Sequence, residues 1–460
     1  MKKIPIKFLL AVILYCLGFI QGFSQNNPLN YSVGLNSAIS SEKTLPFWMT
    51  ANTFGTVPNS GYGSVYASMF SDFKESESNF SFSYKASFTA YLASKNDFFI
   101  NELYASLKFK GVQLDLGSKN DDIKWEGLSS SNGNIIKSNN SRAFPGINLK
   151  TIGYLKLPFA KSWLSTKGNY GEYLLNDKRA VNNAHLHHKS LYFKSVLSEK
   201  ISIITGMDHY VQWGGTSQEF GKQPSSFKDY LRVIIGYSGG GTALKGDQIN
   251  ALGNTVGAYL FQLNYTGEKT NWNAYWSHPY EDRSGRELSN YPDALYGLFI
   301  DLKKPESLIT QVLAEFTYTK HMSKNTTSSG ADNYFNNSIY NSGWTYFGQT
   351  IGSPFFPTKE PIDGITRGID SNYNRFTAYH LGFKGYLSRK VQYKTYFSYI
   401  HYPGWFGESL NKDQFSSLFE FYLQPKNIPF EISFGFSTDI GSVLPNNFGG
   451  FLKLTKNFSY

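Results

Sequence analysis

A regular alternation of apolar and polar residues runs through much of this 460-residue chain and restricts its fold more than any other feature. In Phe80–Leu92, every second residue is phenylalanine, tyrosine, alanine or leucine, and the residues between them are mostly serine, lysine and threonine. A β-strand keeps two such sets apart because successive side chains point to opposite faces. The stretch also has the ~9 to 11 residues that a tilted membrane-spanning strand needs.

The same period of two returns in many later segments. Their apolar faces are Val112-Leu114-Leu116, Gly257-Tyr259-Phe261-Leu263-Tyr265, Val312-Ala314-Phe316-Tyr318, Tyr379-Leu381-Phe383, Phe419-Phe421-Leu423 and Phe430-Ile432-Phe434-Phe436. The residues between them include Glu315, His380 and Glu420, which suit a polar lumen. The final segment alternates likewise and stops at the aromatic Tyr460, a pattern that looks like the signal read by the barrel-assembly machinery.

Composition agrees with a barrel that has one lipid-facing and one polar surface. Aromatic residues make up 17% of the chain and the mean hydropathy is −0.35. This combination is typical of outer-membrane barrels, in which half of the strand residues face a wet lumen and aromatics collect at both membrane interfaces. No window after Ile20 is apolar enough for a transmembrane helix, so we expect strands to cross the membrane. We predict an all-β fold with a single transmembrane antiparallel barrel over 25–460, about 18 strands and an occluded lumen.

The N-terminus predicts a secretory signal peptide. Three lysines flank an apolar run at 8–20, and small residues precede a cleavage site after Ser24, which gives a signal peptide over 1–24. The single cysteine, Cys16, lies in this run, and bulky Tyr15 argues against lipidation there. Losing the three lysines lowers the net charge from +10 to +7, and the basic residues are scattered singly. We therefore expect an outer-membrane protein that has no nucleic-acid partner.

Three polar stretches rich in glycine or asparagine predict extracellular loops, at 129–141, 324–341 and 355–374. The many tryptophan and tyrosine residues favour a barrel that is plugged over one that conducts. A passive porin is the main alternative, because the size of the chain and its lumen polarity also permit a channel. We expect capsular or extracellular polysaccharide, outer-membrane lipid and the barrel-assembly machinery as partners, and no cofactor.

One group of side chains has the chemistry that a saccharide site needs. His209, Gln212 and Trp213 combine an aromatic face with hydrogen-bonding groups, near the end of a strand predicted over 201–207. The alternative is an aromatic-belt tryptophan beside a lumen histidine. Arg142 and Arg232 are candidates for two-pronged contacts with carboxylate or phosphate groups of a charged glycan. Arginines paired with acids inside the lumen are the alternative.

A second group lies at 278–285. His278, Glu281, Asp282 and Arg283 place two acids and a base beside Ser284, which suits a charged saccharide or a cation. A solvated turn that satisfies its own polar groups is the alternative. A hydrolase built from such serine, histidine and acid residues stays open, but the chain has no Gly-x-Ser-x-Gly motif, and we expect no catalysis.

His185, His187 and His188 form the one cluster of histidines in the sequence. In a strand, His185 and His187 would share a face, as two ligands of a metal ion must. No third ligand stands at a definable spacing from them, so we expect no metal. The alternative is a place in an exposed loop or a lumen-facing strand.

Several blocks, taken in order, resemble the Wzi capsule-assembly proteins of Gram-negative bacteria. The main one is residues 206–215, Gly-Met-Asp-His-Tyr-Val-Gln-Trp-Gly-Gly, followed by Phe-Lys-Asp-Tyr-Leu-Arg at 227–232. Others are Leu-Pro-Phe-Trp at 45–48, Asn-Ser-Arg-Ala-Phe-Pro at 140–145, Ala-Leu-Gly-Asn at 251–254 and His-Pro-Tyr-Glu-Asp-Arg-Ser-Gly at 278–285.

The resemblance implies an 18-stranded outer-membrane barrel that acts as a surface lectin and organises exported polysaccharide into a capsule, without catalysis. The chain departs from the enteric members of the family, which carry a helical bundle before the barrel. Only about 20 residues separate the predicted cleavage site from Phe47, too few for such a bundle, which needs helices of ~10 residues or more. Any contact that the bundle makes is therefore in doubt here.

Overall fold

The computed structural model describes residues 29–74, 80–94, 96–160, 162–241, 243–249, 251–324, 330–425 and 428–459. The predicted signal peptide and the terminal Tyr460 lie outside these ranges. Within them, 18 long antiparallel strands form one closed barrel. The first nine are β1 Asn30–Ser40, β2 Tyr62–Ser71, β3 Phe80–Leu92, β4 Asp97–Phe109, β5 Val112–Ser118, β6 Pro145–Thr151, β7 Leu164–Leu175, β8 Ala184–Val196 and β9 Ile201–Trp213. The second nine are β10 Asn254–Thr266, β11 Asn271–Tyr280, β12 Ala294–Asp301, β13 Gln311–Tyr318, β14 Thr377–Ser388, β15 Val391–Tyr402, β16 Lys412–Leu423, β17 Glu431–Gly441 and β18 Asn447–Ser459.

The barrel closes where its first strand pairs with its last. β1 and β18 run antiparallel over eleven residue pairs, from Asn30 opposite Ser459 to Ser40 opposite Gly449. Closure removes the free edges of the sheet, so every strand has backbone partners on both sides, as crossing a bilayer requires. The predicted barrel class is thereby confirmed, and β3 has the bounds that the alternation indicated.

The connections differ in length at the two ends of the barrel. Both described chain ends lie at the end with tight turns such as 110–111, 197–200 and 389–390. The opposite end carries the long connections 119–144, 214–253 and 319–376. Outer-membrane barrels place short turns in the periplasm and long loops outside the cell, which identifies the second end as extracellular.

The outer surface of the strands carries the apolar half of the alternation. Large apolar side chains exposed there include Leu35, Val65, Leu116, Leu191, Phe193, Phe261, Leu263, Leu381, Phe434 and Leu452. Exposure of so many on one surface is favourable only where acyl chains replace water. No helix within the described ranges is long and apolar enough to cross a membrane.

The lumen is filled by extracellular connections that fold back into it. The described parts of segments 119–144 and 319–376, with the short helix α1 (Phe47–Thr50), supply about half of its buried apolar core, and the strands supply most of the rest. Side chains that are fully buried there include Leu128, Ile135, Ile136, Trp344, Phe355 and Phe356. The stretches predicted as loops at 129–141 and 355–374 therefore connect extracellular strand ends but pack inward. We call the inward-folded segments, which are α1 and the described parts of 119–144 and 319–376, the plug.

One connection instead packs against the outside of the barrel. In 214–253, helix α2 (Phe227–Ile235) begins with a capping box, in which Ser226 Oγ accepts from the Asp229 amide at 3.2 Å and Asp229 Oδ2 accepts from the Ser226 amide at 3.1 Å. It ends at Gly236, whose φ of 70° suits glycine. A one-turn helix, α3 (Lys245–Ile249), follows, and a fourth, α4 (Arg283–Arg286), lies in the next extracellular connection.

Candidate functional site at the plugged mouth

Glu315 on β13 fixes the plug to the inner wall. Its carboxylate accepts from Ser129 Oγ at 2.5 Å, from Ser130 Oγ at 2.5 Å, from the Ser130 amide at 2.8 Å and from the Tyr275 hydroxyl at 2.5 Å. Glu315 is 5% exposed, so water has little access to these hydrogen bonds. Because buried hydrogen bonds to a charged group are the strong class, Glu315 is the main polar anchor of segment 119–144.

Two further lumen side chains hold the same segment. His380 on β14 lies with its Nε2 2.8 Å from the Leu128 carbonyl and its Nδ1 2.7 Å from Ser398 Oγ. Asp208 on β9 accepts from Asn134 Nδ2 at 2.7 Å. The plug is therefore fastened to several strands around the barrel.

A residual lumen cavity remains between part of the plug and the wall. It has a volume of about 500 Å³, and ion pairs between wall residues line it, such as Lys85 with Glu102 at 2.7 Å and Lys394 with Glu420 at 3.1 Å. These charges already have partners on the wall. A large ligand outside the cell therefore meets the polar surface of the extracellular mouth and not these paired charges.

Arg142 lies at this mouth in a stack of aromatic rings. Its guanidinium carbon is 4.1 Å from the ring centroid of Phe99 and 4.4 Å from that of Phe347. Its Nε donates to the Gly55 carbonyl at 3.3 Å. Gly55 has a φ of 59°, and a Cβ there would lie 3.0 Å from the Arg142 Cγ, so this close approach favours glycine.

The terminal nitrogens of Arg142 have no carboxylate partner among the described residues. The arginines that form ion pairs there are Arg179, Arg232, Arg283 and Arg389. The ring of Phe347 is 42% exposed and its amide donates to Asp177 at 3.1 Å, which holds it at a φ of 48°. An exposed ring beside an unpaired guanidinium suits the apolar face of a sugar together with an anionic substituent.

The structure separates the residues of the first predicted group. β9 extends through Trp213, beyond the predicted end at 207, so alternate side chains of this group point to opposite faces. Gln212 faces the lumen, where it is fully buried and donates to the Gly343 carbonyl at 3.1 Å. Trp213 and His209 lie on the outer face, and Trp213 stacks on Tyr230 of α2 at 5.4 Å.

Arg232 and the histidine cluster at 185–188 are also distributed over different surfaces of the barrel. Arg232 lies on α2 outside the barrel and pairs with Asp229 at 3.0 Å. His187 lies on the outer face 2.6 Å from Glu172, whereas His188 faces inward, 3.2 Å from Asp208. No group of three or more potential metal ligands is present among the described residues.

The second predicted group has mixed surroundings. His278 is fully buried with its Nδ1 2.7 Å from the Asp293 carbonyl oxygen, and Glu281 accepts from the Phe335 amide of the plug at 2.5 Å. Asp282 caps α4 by accepting from the Gly285 amide at 3.1 Å. Arg283 is exposed, and its Nε is 2.7 Å from Glu287.

Buried carboxyl groups close to this segment titrate near neutral pH. Burial raises the pKa of Asp293 to about 7, although Tyr334 and the amides of His321 and Met322 donate to it. Burial also raises the pKa of Asp332 to about 6. The packing of the extracellular mouth is therefore coupled to pH.

Sequence reasoning missed a second cationic and aromatic group at the mouth. The guanidinium carbon of Arg375 lies 3.8 Å from the Phe406 ring centroid, and the adjacent Trp405 meets Phe406 edge-on at 5.4 Å. Gly404 and Gly407 flank the aromatic pair with φ values of 94° and 79°. Two glycines around two aromatics, a pattern typical of a turn, were the available signal.

Comparison with known proteins assigns this architecture to a family. The family model for the capsule assembly protein Wzi matches residues 49–362, more than half of the chain. The chain belongs to the Wzi family. Its block resemblance to Wzi proteins is thereby confirmed. A search of curated proteins finds no match.

Solved structures share the fold. The Wzi protein of Escherichia coli is described as a carbohydrate-binding outer-membrane β-barrel involved in group 1 capsule assembly. It is 13% identical, with 93% of this chain and 85% of that chain covered and a TM-score of 0.59. OpdO of Pseudomonas aeruginosa is 9% identical, with 95% and 98% covered and a TM-score of 0.50. At these identities the likeness concerns the fold, an outer-membrane barrel.

Proposed function

We propose that this Wzi-family protein binds capsular or extracellular polysaccharide at its extracellular mouth and holds it at the cell surface without catalysis. The observation that carries the proposal is an 18-stranded barrel whose lumen is filled by its own extracellular connections. Such a barrel presents a fixed polar surface outside the cell, to which a polymer can attach. Membership of the capsule-assembly family and the carbohydrate binding described for Escherichia coli Wzi support the same conclusion.

Among the predicted contact residues, Arg142 has the surroundings that fit best. Its unpaired guanidinium and the exposed ring of Phe347 together match a sugar that carries a carboxylate or phosphate. Direct stacking of a sugar on Trp213 would require Tyr230 to leave, since the two rings already stack. Contact of polysaccharide with His209, Gln212 or Trp213 stays a prediction, as it does for Arg232 and the segment 278–285.

A porin remains the rival function, and the plug argues against it. Main-chain groups of segment 119–144 are bound to wall residues on β11, β13 and β14. We expect little steady conductance from the protein in planar bilayers. We also propose export with cleavage after Ser24, a barrel over 25–460, and assembly through the C-terminal strand in outer-membrane lipid.

The experiment compares polysaccharide retained on cells with polysaccharide shed into the medium. Cells without the gene should shed more than cells with it, and Arg142→Ala should shift the ratio towards shedding. Arg389→Ala is the matched control, because Arg389 is exposed and bound to Glu306 at the periplasmic end of the barrel, away from the mouth. Equal retention with and without the gene would refute the proposed function.

A further inference from the structure

Helix α2 presents three different surfaces around its axis. At 3.6 residues per turn, Tyr230 and Val233 lie on the side that contacts the barrel wall, where Val233 packs with Val211 and Trp213. Lys228 and Arg232 follow one another along a polar side. Between the wall side and the polar side runs an apolar stripe.

The apolar stripe has no protein cover among the described residues. Phe227, Leu231 and Ile235 repeat every four residues and are 75%, 46% and 63% exposed, and Tyr237 just after the helix is 65% exposed. Leaving these side chains in contact with water costs about 25 cal/mol of free energy for each Å² of exposed apolar surface. The question is what covers it.

The wall beneath the helix indicates the answer. On β8, Lys189 donates to the Ile234 carbonyl at the C-terminal end of α2, and His187 is fully buried beside Glu172. The next outward residues of the same strand towards the periplasm, Leu191 and Phe193, are exposed apolar side chains of the lipid-facing surface. The helix therefore begins where the apolar belt of the barrel ends.

The contacts fix the helix on this polar part of the wall. The Tyr230 hydroxyl donates to Glu172 Oε1 at 2.8 Å, and the Trp213 ring lies against Tyr230. Without α2, charged groups on the outer wall would face the boundary of the acyl chains, where burial of an unpaired charge is costly. The helix covers these groups and continues the apolar surface outward.

We propose that α2 is a membrane-interface helix and that acyl chains of the outer leaflet cover the stripe formed by Phe227, Leu231 and Ile235. The occupant follows from continuity: lipid that coats Leu191 and Phe193 on the wall reaches the adjoining stripe. Lys228 and Arg232 then lie on the headgroup and water side, as in amphipathic helices that lie in a membrane interface. The inference rests on the outer-membrane location of the barrel and is independent of polysaccharide binding.

The test places a nitroxide spin label at single cysteines. Cys16 is the only native cysteine, so Cys16→Ser gives the background for Leu231→Cys and Ile235→Cys. Leu191→Cys is the lipid reference and Lys228→Cys is the water reference on the same helix. The protein is reconstituted in vesicles of phosphatidylcholine and phosphatidylglycerol, and heat-modifiability on gels confirms that each barrel is folded.

Labels at Leu231 and Ile235 should be relaxed by oxygen and protected from a water-soluble nickel chelate, as at Leu191, while Lys228 should show the reverse. Nickel accessibility at Leu231 equal to that at Lys228 would place the stripe in water and overturn the proposal. Immobile labels that neither reagent reaches would show a protein cover and also overturn it. If a labelled variant does not fold, Leu231→Trp is tested instead, and the quenching by brominated phosphatidylcholine that it adds to that of the eight native tryptophans should exceed the quenching added by Lys228→Trp by at least about twofold, since bromines report lipid contact.

Discussion

Replacing Glu315 with alanine should release the plug from the barrel wall. The change removes the acceptor of four hydrogen bonds and leaves the Ser130 amide and three hydroxyls without their partner. Each hydrogen bond to a charged group is worth about 1.5 to 3 kcal/mol, but the four share one carboxylate and water can enter the space, so the effects do not add. We expect a loss of about 3 to 5 kcal/mol, since several buried neutral donors lose a charged acceptor at once.

Hydrogen exchange measures this loss directly. A destabilisation of about 3 to 5 kcal/mol raises the fraction of opened plug by roughly 150- to 4000-fold, if opening controls exchange. Amides of the peptide 127–141 should therefore exchange faster in Glu315→Ala by up to that factor, measured by mass spectrometry in detergent. In planar bilayers the same variant should show openings that the parent lacks.

Glu420→Ala is the matched control for a lost lumen carboxylate. Glu420 is also buried on the wall, but its partners are Lys394 at 3.1 Å, Lys453 at 3.4 Å and Ser433, all of which belong to strands. Exchange of 127–141 should be unchanged in this variant. An exchange rate in Glu315→Ala within about twofold of the parent, a change below ~0.4 kcal/mol, would refute Glu315 as the anchor. Equal acceleration in both variants would show a general lumen effect.

Three further outcomes follow from the mouth and from α2. Arg142→Ala should weaken binding of an anionic glycan by about 10- to 150-fold per site, measured with short fragments to limit avidity, whereas Arg389→Ala at the periplasmic end should stay near the parent; equal loss in both would exclude a specific role for Arg142. Because burial raises the pKa of Asp293 to about 7 from an ordinary 3.8, its protonated form stabilises the mouth fully below pH 4 and this contribution is lost as the pH rises through 7. Protection of the described part of segment 319–376 from protease should therefore fall between about pH 4 and 7 in the parent and level off above that range, and a parent without that fall, or the same fall in Asp293→Asn, would contradict the assignment. Trp213→Ala should cost about 3 to 5 kcal/mol of α2 packing and expose α2 to protease without changing the affinity for glycan fragments; lost affinity with α2 still protected would instead support direct contact at Trp213.

The barrel was predictable because its signal is local. A strand shows its two faces within a few residues, so the alternation in Phe80–Leu92 gave the observed bounds, and Glu315 and His380 were correctly expected in the lumen. The inward folding of segments 129–141 and 355–374 was not predictable, because polar loop composition is the same for a loop in water and for one that bonds to a polar wall.

The candidate site was less accessible to sequence reasoning. The stack around Arg142 joins Phe99 and Phe347, which lie far apart in the chain, and no local spacing reports such a meeting. The direction of the Trp213 side chain depends on β9 continuing to residue 213. The alternation of apolar and polar residues does not show at which residue the strand ends. Helix α2 had a readable signal: Ser226 and Asp229 form a capping pair before apolar residues spaced by four.

Equilibrium binding of the purified barrel to isolated surface polysaccharide tests the central claim most directly. The protein is held in lipid nanodiscs and the polysaccharide, from the same cells, is titrated at low and at high salt. We predict saturable binding that weakens with salt, since an arginine contact to an anionic sugar is screened, and that weakens further in Arg142→Ala. Absence of binding by a folded barrel, together with a large steady conductance in planar bilayers, would contradict the account and identify the protein as a channel.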